Sequence, residues 1–490
     1  MTNIGGTRPF ALTALVIVGC GGMGGTTGSA TSETTGAELR TAAGDDCEAP
    51  PGNISASPLG TFESETRLAR AKDGSLAAVW ISNTAAPHDG GFQSIGYRLF
   101  RPSCERGGHG GWGPVQLLTV PGFFYHSDPT VTVDAHGDFY FAFLAAEGPI
   151  TATSGFPQPP DDALRVFVAK LPRGASTALA PMLVSLAGYE FDDKPWIDVT
   201  PRGAIAVSYN QSDGDLVSNT VVARSSDRGA TWTTSLVDDT GTGIPQLCVP
   251  ISGHRIYLTD MVFGAGSDGH VDAQARLAKP RPSARPRRRA SAVVAGQPAI
   301  HVHWSDDDGV TWNANDVNAW PGADPNATYS IPTCAARGRD VWLAAAMAPT
   351  EDFPPLSQSV QIAHFVNGGA TFDRTVFPDM GGDFFYWQPL IVAGNDGELD
   401  LLSYVNRAYF TSPLRTDGTF VRLRSHGTGL TWTAPDVLAT HLWDGGDRHG
   451  LGFQGDYVGA VPRDGGGLDI TFVPPFENTP QHVELLHLPR

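Results

Sequence analysis

The sequence predicts an all-β chain built from repeated antiparallel hairpins, and three observations carry that expectation: turn-rich composition, a recurring turn motif, and strand-like alternation around short Gly/Asp turns. Glycine (58) and proline (38) make up nearly a fifth of the 490 residues, which favours many turns over long helices. Charged residues are only 17% of the chain, and the formal charge is -18. Such a surface repels phosphates, so nucleic acid and anionic membrane surfaces are excluded as principal partners.

The turn motif reads S-x-D-x-G-x-T-W. It occurs in full as Ser225-Ser226-Asp227-Arg228-Gly229-Ala230-Thr231-Trp232 and as Ser305-Asp306-Asp307-Asp308-Gly309-Val310-Thr311-Trp312. Degenerate copies follow at Asn367 to Phe372 and at Ser425 to Trp432, the latter keeping Gly429. Trp312, Phe372 and Trp432 stand 60 residues apart, and Trp112 lies 120 before Trp232, so the period is 60 and a worn copy is expected near Leu171 to Gly174. The residue types suit a tight hairpin. Ser and Asp oxygens accept turn N–H groups, Gly supplies positive φ, and Trp packs beneath the loop.

A second element recurs in phase, an extended pair around a short turn, as in Asp128 to Phe143 and Pro389 to Leu402. Seven such hairpins are predicted, near 65–82, 127–144, 192–209, 247–261, 331–347, 387–404 and 455–473. The motif resembles the Asp-box, or BNR, repeat of sialidase-like β-propellers, and the resemblance covers about residues 50 to 490. The resemblance implies a β-propeller, and the seven hairpins, each with the Asp-box hairpin that follows, predict seven four-stranded antiparallel blades, with six as the alternative. A seventh Asp-box would fall near 492. The last blade is therefore expected to hold strands at 455–473 and 481–488 and to take its outer strand from Ile54 to Phe62, which removes exposed edges.

The N-terminus gives an address. Residues 10 to 18 are an apolar run too short to span a bilayer, which reads as a signal-peptide core over 1–19. Ile17-Val18-Gly19-Cys20 resembles the bacterial lipobox, which implies lipidation at Cys20, and Gly21 resembles outer-membrane sorting in Gram-negative lipoproteins. The expected location is the bacterial cell envelope, with simple secretion as the alternative. Residues 20–46 are a Gly/Thr/Ser-rich tether, and 47–490 form one domain. An Arg/Pro-rich insertion at about 265–298 is expected to be solvated, with an anionic partner as the alternative. The even set Cys47, Cys104, Cys248 and Cys334 suits two disulfides in an exported chain. Cys248 and Cys334 occupy comparable places in neighbouring repeats, which would leave Cys47 with Cys104.

The sialidase resemblance implies an arginine triad and a Glu-activated Tyr at the channel mouth. Here the first Arg slot falls near Glu63 or Ser64, and the late Tyr slot near Asp456, beside Tyr457, so exo-sialidase activity is not expected. The starts of the inner strands still offer polar groups: Glu65, Arg67, His126, Asp128, Asp192, Asp193, Lys194, Tyr386, Gln388, Asp456 and Tyr457. Trp443, Arg448 and His449 lie in a glycine-rich stretch expected to rim the mouth and hold a sugar. His301 and His303 share a strand face, but with no third ligand nearby in sequence an exposed strand is expected there, and no metal or cofactor is called for. The expected role is a monomeric module binding a glycan or an envelope or extracellular protein, with membrane contact only through the lipid. The alternative is a glycoside hydrolase or lyase using mouth acids.

Overall fold

The computed structural model describes residues 48–490 except 56–61, 84–92, 104–109, 147–163, 187–190, 213–217, 240–241, 251, 263–298, 318–327, 330, 349–358, 379–383, 395, 408–414, 445–457 and 475–481. The lipobox, the tether, the Arg-rich insertion, Cys47 and Cys104 lie outside these residues. Among the described residues no helix is long and apolar enough to cross a membrane.

Seven antiparallel sheets follow one another along the chain. Blade 1 runs from Phe62–Arg70 through Leu76–Asn83 and Gln93–Arg101 to an outer edge split into Gly111–Trp112 and Gln116–Leu118. The first strands of the next five blades are Tyr125–Val133, Phe191–Val199, Thr242–Cys248, Thr333–Arg337 and Phe384–Ala393, and blade 7 begins at Gly459–Pro462. These first strands touch their neighbours all the way round, and that of blade 7 touches that of blade 1. The chain is a closed seven-bladed β-propeller, and its first strands line the central channel.

The sequence encodes this stacking through its second strands, which are buried on both faces. In Leu76–Asn83, Ala77, Val79 and Ile81 pack into the apolar cluster shared with blade 2, while Leu76, Ala78 and Trp80 pack into the cluster shared with blade 7. Strand alternation thus serves two interfaces at once and needs a nearly continuous apolar run. Seven such clusters fill the seven interfaces.

The Asp-box turns fold as their residue types require. Ser225 Oγ bonds Asp227 Oδ1 at 2.8 Å and accepts Gly229 N–H at 2.8 Å, while Asp227 accepts Thr231 N–H at 2.8 Å. The second copy repeats all three contacts at 2.8 Å through Ser305, Asp307, Gly309 and Thr311. Thr231 hydroxyl and N–H hold the Asp227 carboxyl down at about 2. Gly229 and Gly309 have φ of 87° and 86°, and they face Tyr140 and Val222 of the preceding blade, so each turn packs across an interface. Trp232, Trp312 and Trp432 join the interblade clusters. At the expected worn copy a plain turn remains, in which Ala175 N–H donates to Pro172 O.

Closure of the ring corrects one expectation. The outer strand of blade 7 is Gly52–Asn53, paired with Leu485 and Glu484, and Ile54 N–H donates to Val483 O at 2.9 Å. Of the expected segment Ile54 to Phe62, Ile54 continues this edge while Phe62 belongs to the inner strand of blade 1, so the strand that closes the ring begins two residues earlier than expected; residues 56–61 lie outside the described residues. Asp469, fully buried in blade 7, bonds His487 Nδ1 at 2.6 Å and Arg70 Nε of blade 1 at 2.8 Å. Burial alone would raise its carboxyl, but His487 and Arg70 hold it below the usual range. Cys248 and Cys334 form the disulfide between blades 4 and 5, with Cα atoms 5.9 Å apart. His301 and His303 depart from expectation: their strand is third in blade 4, yet they are only 2% and 1% exposed, because blade 3 covers them.

Candidate functional site

The channel mouth is built by one repeated backbone device. In five inner strands the register slips near the start: between Ser64 and Arg67, Ser127 and Thr130, Asp193 and Trp196, Gly243 and Gln246, and Trp387 and Leu390. The first residue inside each slip has positive φ: Glu65 at 49°, Asp128 at 51°, Lys194 at 50°, Ile244 at 57° and Gln388 at 49°. In four cases the next residue is proline: Pro129, Pro195, Pro245 and Pro389. Proline cannot donate to the ladder and is tolerated at such bulges, which also re-aim side chains. A non-glycine residue held at positive φ costs roughly 1–3 kcal/mol, so five equivalent cases mark a conformation imposed by the ring.

The bulge is tied to its neighbour. Thr130 Oγ1 donates to Pro195 O and accepts Ile197 N–H, at 3.3 and 3.2 Å. Thr333 repeats this with Pro389 O and Ile391 N–H, at 2.9 and 3.1 Å.

Blades 1 to 3 thereby bring Glu65, Asp128 and Lys194 to equivalent positions. Lys194 Nζ lies 2.7 Å from Asp128 Oδ1, and both side chains are largely buried. Ser127 Oγ donates to the other Asp128 oxygen. Asp193 Oδ1 accepts the Lys194 backbone N–H at 2.8 Å, which fixes the turn. Tyr125 sits among these groups. Burial, then the Asp128 and Glu65 carboxylates, push its phenol well up, against opposing effects of Ser127 and Lys194.

Beneath the mouth, Arg67 reaches across the channel. Its guanidinium lies 3.5 Å from the centre of a Trp196 ring of blade 3, and Nη1 donates to Val458 O of blade 7 at 2.8 Å. Asp198 adjoins this pair. Burial raises its carboxyl to about 6 despite hydrogen bonds from Val199 N–H and Thr132 and the nearby charge of Arg67.

The remaining candidates separate. His126 is an internal peg: Nε2 accepts Val120 N–H and Nδ1 bonds Gln93 O, each at 2.9 Å, and burial pushes its pKa down. Asp192 is buried against Gln211, whose Nε2 donates at 2.9 Å, and burial lifts its carboxyl to about 6. Tyr386 is on the inner strand of blade 6, opposite Val405. Trp443 is on the outermost strand of that blade, opposite Thr416. Arg448, His449, Asp456 and Tyr457 lie outside the described residues.

Sequence reasoning missed Tyr125, Trp196 and Asp198. For Trp196 a signal was present, since Lys194-Pro195-Trp196 repeats the phase of Glu65-Thr66-Arg67. Among the described residues a groove of about 230 Å³ lies elsewhere, between blades 1 and 2 beside Tyr97, Arg101 and Trp112. The channel's residue chemistry outweighs that shape, because the groove has a single charged group among its lining side chains. Among the described residues, the one grouping of His and carboxylate side chains in metal-ligand geometry is also away from the mouth: Asp238, Asp260, His301 and His303.

Among solved structures the chain is similar to a Hadza microbial sialidase, at 14% identity and TM-score 0.43, covering 70% of this chain and 63% of that one. It is also similar to a polysaccharide lyase of family PL25, an ulvan lyase bound to -[GlcA(1-4)Rha3S]-, at 11% identity and TM-score 0.48, covering 91% and 94%. A protein of unknown function from Dyadobacter fermentans matches at 14% identity and TM-score 0.46, over 88% and 100%. The chain spans less than two thirds of the length of the sialidase. No family model matches, and no curated protein does.

Proposed function

We propose that this protein is a glycan-binding propeller that takes a sugar end at the channel mouth. The observation that carries this reading is the Arg67 guanidinium over the Trp196 ring at 3.5 Å, below a rim of polar groups aimed by the bulges. A cation fixed on an indole offers a planar surface and charge-assisted hydrogen bonding, which suits hydroxyl-rich or acidic sugars. The Asp128 carboxylate is closed into an ion pair with Lys194, an arrangement that suits a rigid rim better than proton transfer. The lipobox resemblance at Cys20 supports display at an envelope surface.

A second reading, a carbohydrate-active enzyme, draws on Tyr125, whose phenol shares its surroundings with Asp128, Glu65 and Lys194. One experiment separates the two. The protein is incubated with sialylated, uronic-acid and neutral oligosaccharides, with retained ligand and released products followed by mass spectrometry. Retention without cleavage, lost in Trp196→Ala and Arg67→Met, is expected. Cleavage lost in Tyr125→Phe or Asp128→Asn would replace the binding reading with the enzymatic one, and no retention of any sugar would refute it.

A further inference from the structure

We propose that Asp238, Asp260, His301 and His303 form a structural zinc site that staples blade 3 to blade 4. Two strand rules assemble it. Alternation puts His301 and His303 on one face of Ala299–Ser305, and the antiparallel register puts Asp260 directly opposite His301. Asp238, the last residue of the outer strand Thr233–Asp238 of blade 3, comes in from across the interface. Each residue presents one ligand atom, and the four atoms lie within 4.8 Å of one another.

Three of the four approaches come near a metal's demands, Asp260 meeting His303 through Oδ2 and His301 through Oδ1. A tetrahedral zinc with bonds of about 2.0–2.1 Å sets its ligand atoms roughly 3.3–3.4 Å apart. Here Asp260 Oδ2 to His303 Nε2 is 3.3 Å, Asp238 Oδ2 to His303 Nε2 is 3.5 Å, and Asp260 Oδ1 to His301 Nδ1 is 3.5 Å. His301 Nδ1 to Asp238 Oδ2 is closer, at 2.8 Å.

Hydrogen bonding and charge point the same way. Asp260 is 0% and His303 1% exposed, and neither makes a hydrogen bond through any side-chain oxygen or nitrogen. Burying such groups unsatisfied is costly, whereas coordination satisfies them. With the imidazoles neutral, as coordination requires, two carboxylates carry a charge of -2 that a divalent ion cancels. Two nitrogen and two oxygen donors with no thiolate suit zinc, and two imidazoles among only four ligands argue against calcium and magnesium. Four protein ligands close the site, so its role is structural.

The test uses the full chain, equilibrated with zinc sulfate and desalted. Elemental analysis is expected to give about one zinc per chain. Dialysis against a chelator should lower the melting temperature, with zinc restoring it and calcium and magnesium failing to do so. Cobalt(II) should give the intense visible absorption of a tetrahedral site. Asp260→Asn and His303→Ala should each weaken zinc binding by more than ~100-fold, while His426→Ala, an exposed control, should not. If the variants do not fold, the wild-type stoichiometry, cobalt spectrum and chelator response decide. Less than about a tenth of an equivalent of zinc, with a melting temperature indifferent to chelator, would overturn the proposal in favour of a buried His/Asp charge network. Zinc retained undiminished by folded Asp260→Asn and His303→Ala would overturn it by placing the ion elsewhere.

Discussion

Replacing Lys194 by methionine tests whether the mouth is held by the Lys194–Asp128 pair. The ammonium and carboxylate are 2.7 Å apart, with side chains 15% and 9% exposed. At an effective dielectric of about 20 their attraction is roughly 6 kcal/mol, and the desolvation of both groups offsets much of it. Deleting the cation leaves the Asp128 carboxylate, to which Ser127 Oγ still donates, facing the buried Tyr125 and Glu65 without its ammonium counter-charge. The expected loss is about 3 kcal/mol, which for the roughly 300 described residues is a fall in melting temperature of about 5 °C. Methionine at 194 and aspartate at 128 keep the positive-φ backbone unchanged, so strain does not enter the comparison. The assay is a double-mutant cycle with Asp128→Asn, followed by thermal unfolding. Lys194→Met combined with Asp128→Asn should recover most of the loss, giving a coupling of about 2 kcal/mol or more. Additive effects, or a Lys194→Met loss under about 0.5 kcal/mol, would refute the reasoning and make the pair a surface contact.

Two further outcomes follow from the same geometry. The Asp192 carboxyl is raised from 3.8 to about 6, so the unfolded chain releases this proton first, and stability falls as pH rises from about 4 to 6 and stays reduced above. Asp192→Asn, which keeps an acceptor for Gln211, should therefore stabilise the protein at pH 7 by up to about 3 kcal/mol and have little effect at pH 4; unfolding midpoints at the two pH values check this, and equal effects would contradict it. At Gly459 a Cβ would lie 2.8 Å from Leu68 N and 2.9 Å from Arg67 C, where blade 7 meets blade 1. Gly459→Ala should lower stability by about 2–4 kcal/mol through forced separation of the two blades, and an unchanged melting temperature would show that the seam yields easily.

Much of the fold was legible because its signals are local. The Asp-box is a closed set of contacts within seven residues, so Ser225, Asp227, Gly229 and Thr231 announce their turn whatever surrounds them. The inner hairpins were legible for a similar reason, since alternation and Gly/Asp turns act over a few residues. The closing strand was misplaced because its signal is not local. Gly52 and Asn53 pair with Leu485 and Glu484, more than 430 residues away, and two residues of strand leave almost no pattern to read.

The site divides in the same way. The x-Pro dipeptides at Asp128, Lys194, Ile244 and Gln388 are sequence features, and a bulge is the physical reason they recur at strand starts. Sequence placed Glu65, Asp128 and Lys194 at one end of the channel, but it could not pair Lys194 with Asp128 or lay Arg67 on Trp196. Those contacts depend on the angle between blades. His301 and His303 make the contrast sharpest. Their spacing puts two imidazoles on one face, yet the ligands that complete the set come from a partner strand and from the preceding blade.

By itself the sequence determined the all-β repeat, the number of blades, the turn chemistry and the Cys248–Cys334 partnership, because each rests on residue types at fixed short spacings or on equivalent places in a repeat. Tertiary structure alone decided which segment closes the ring, which charges meet at the mouth, and which carboxylates face the buried histidines. Those depend on strand register and on how one blade lies against the next, and both are set only when the seven interfaces pack together.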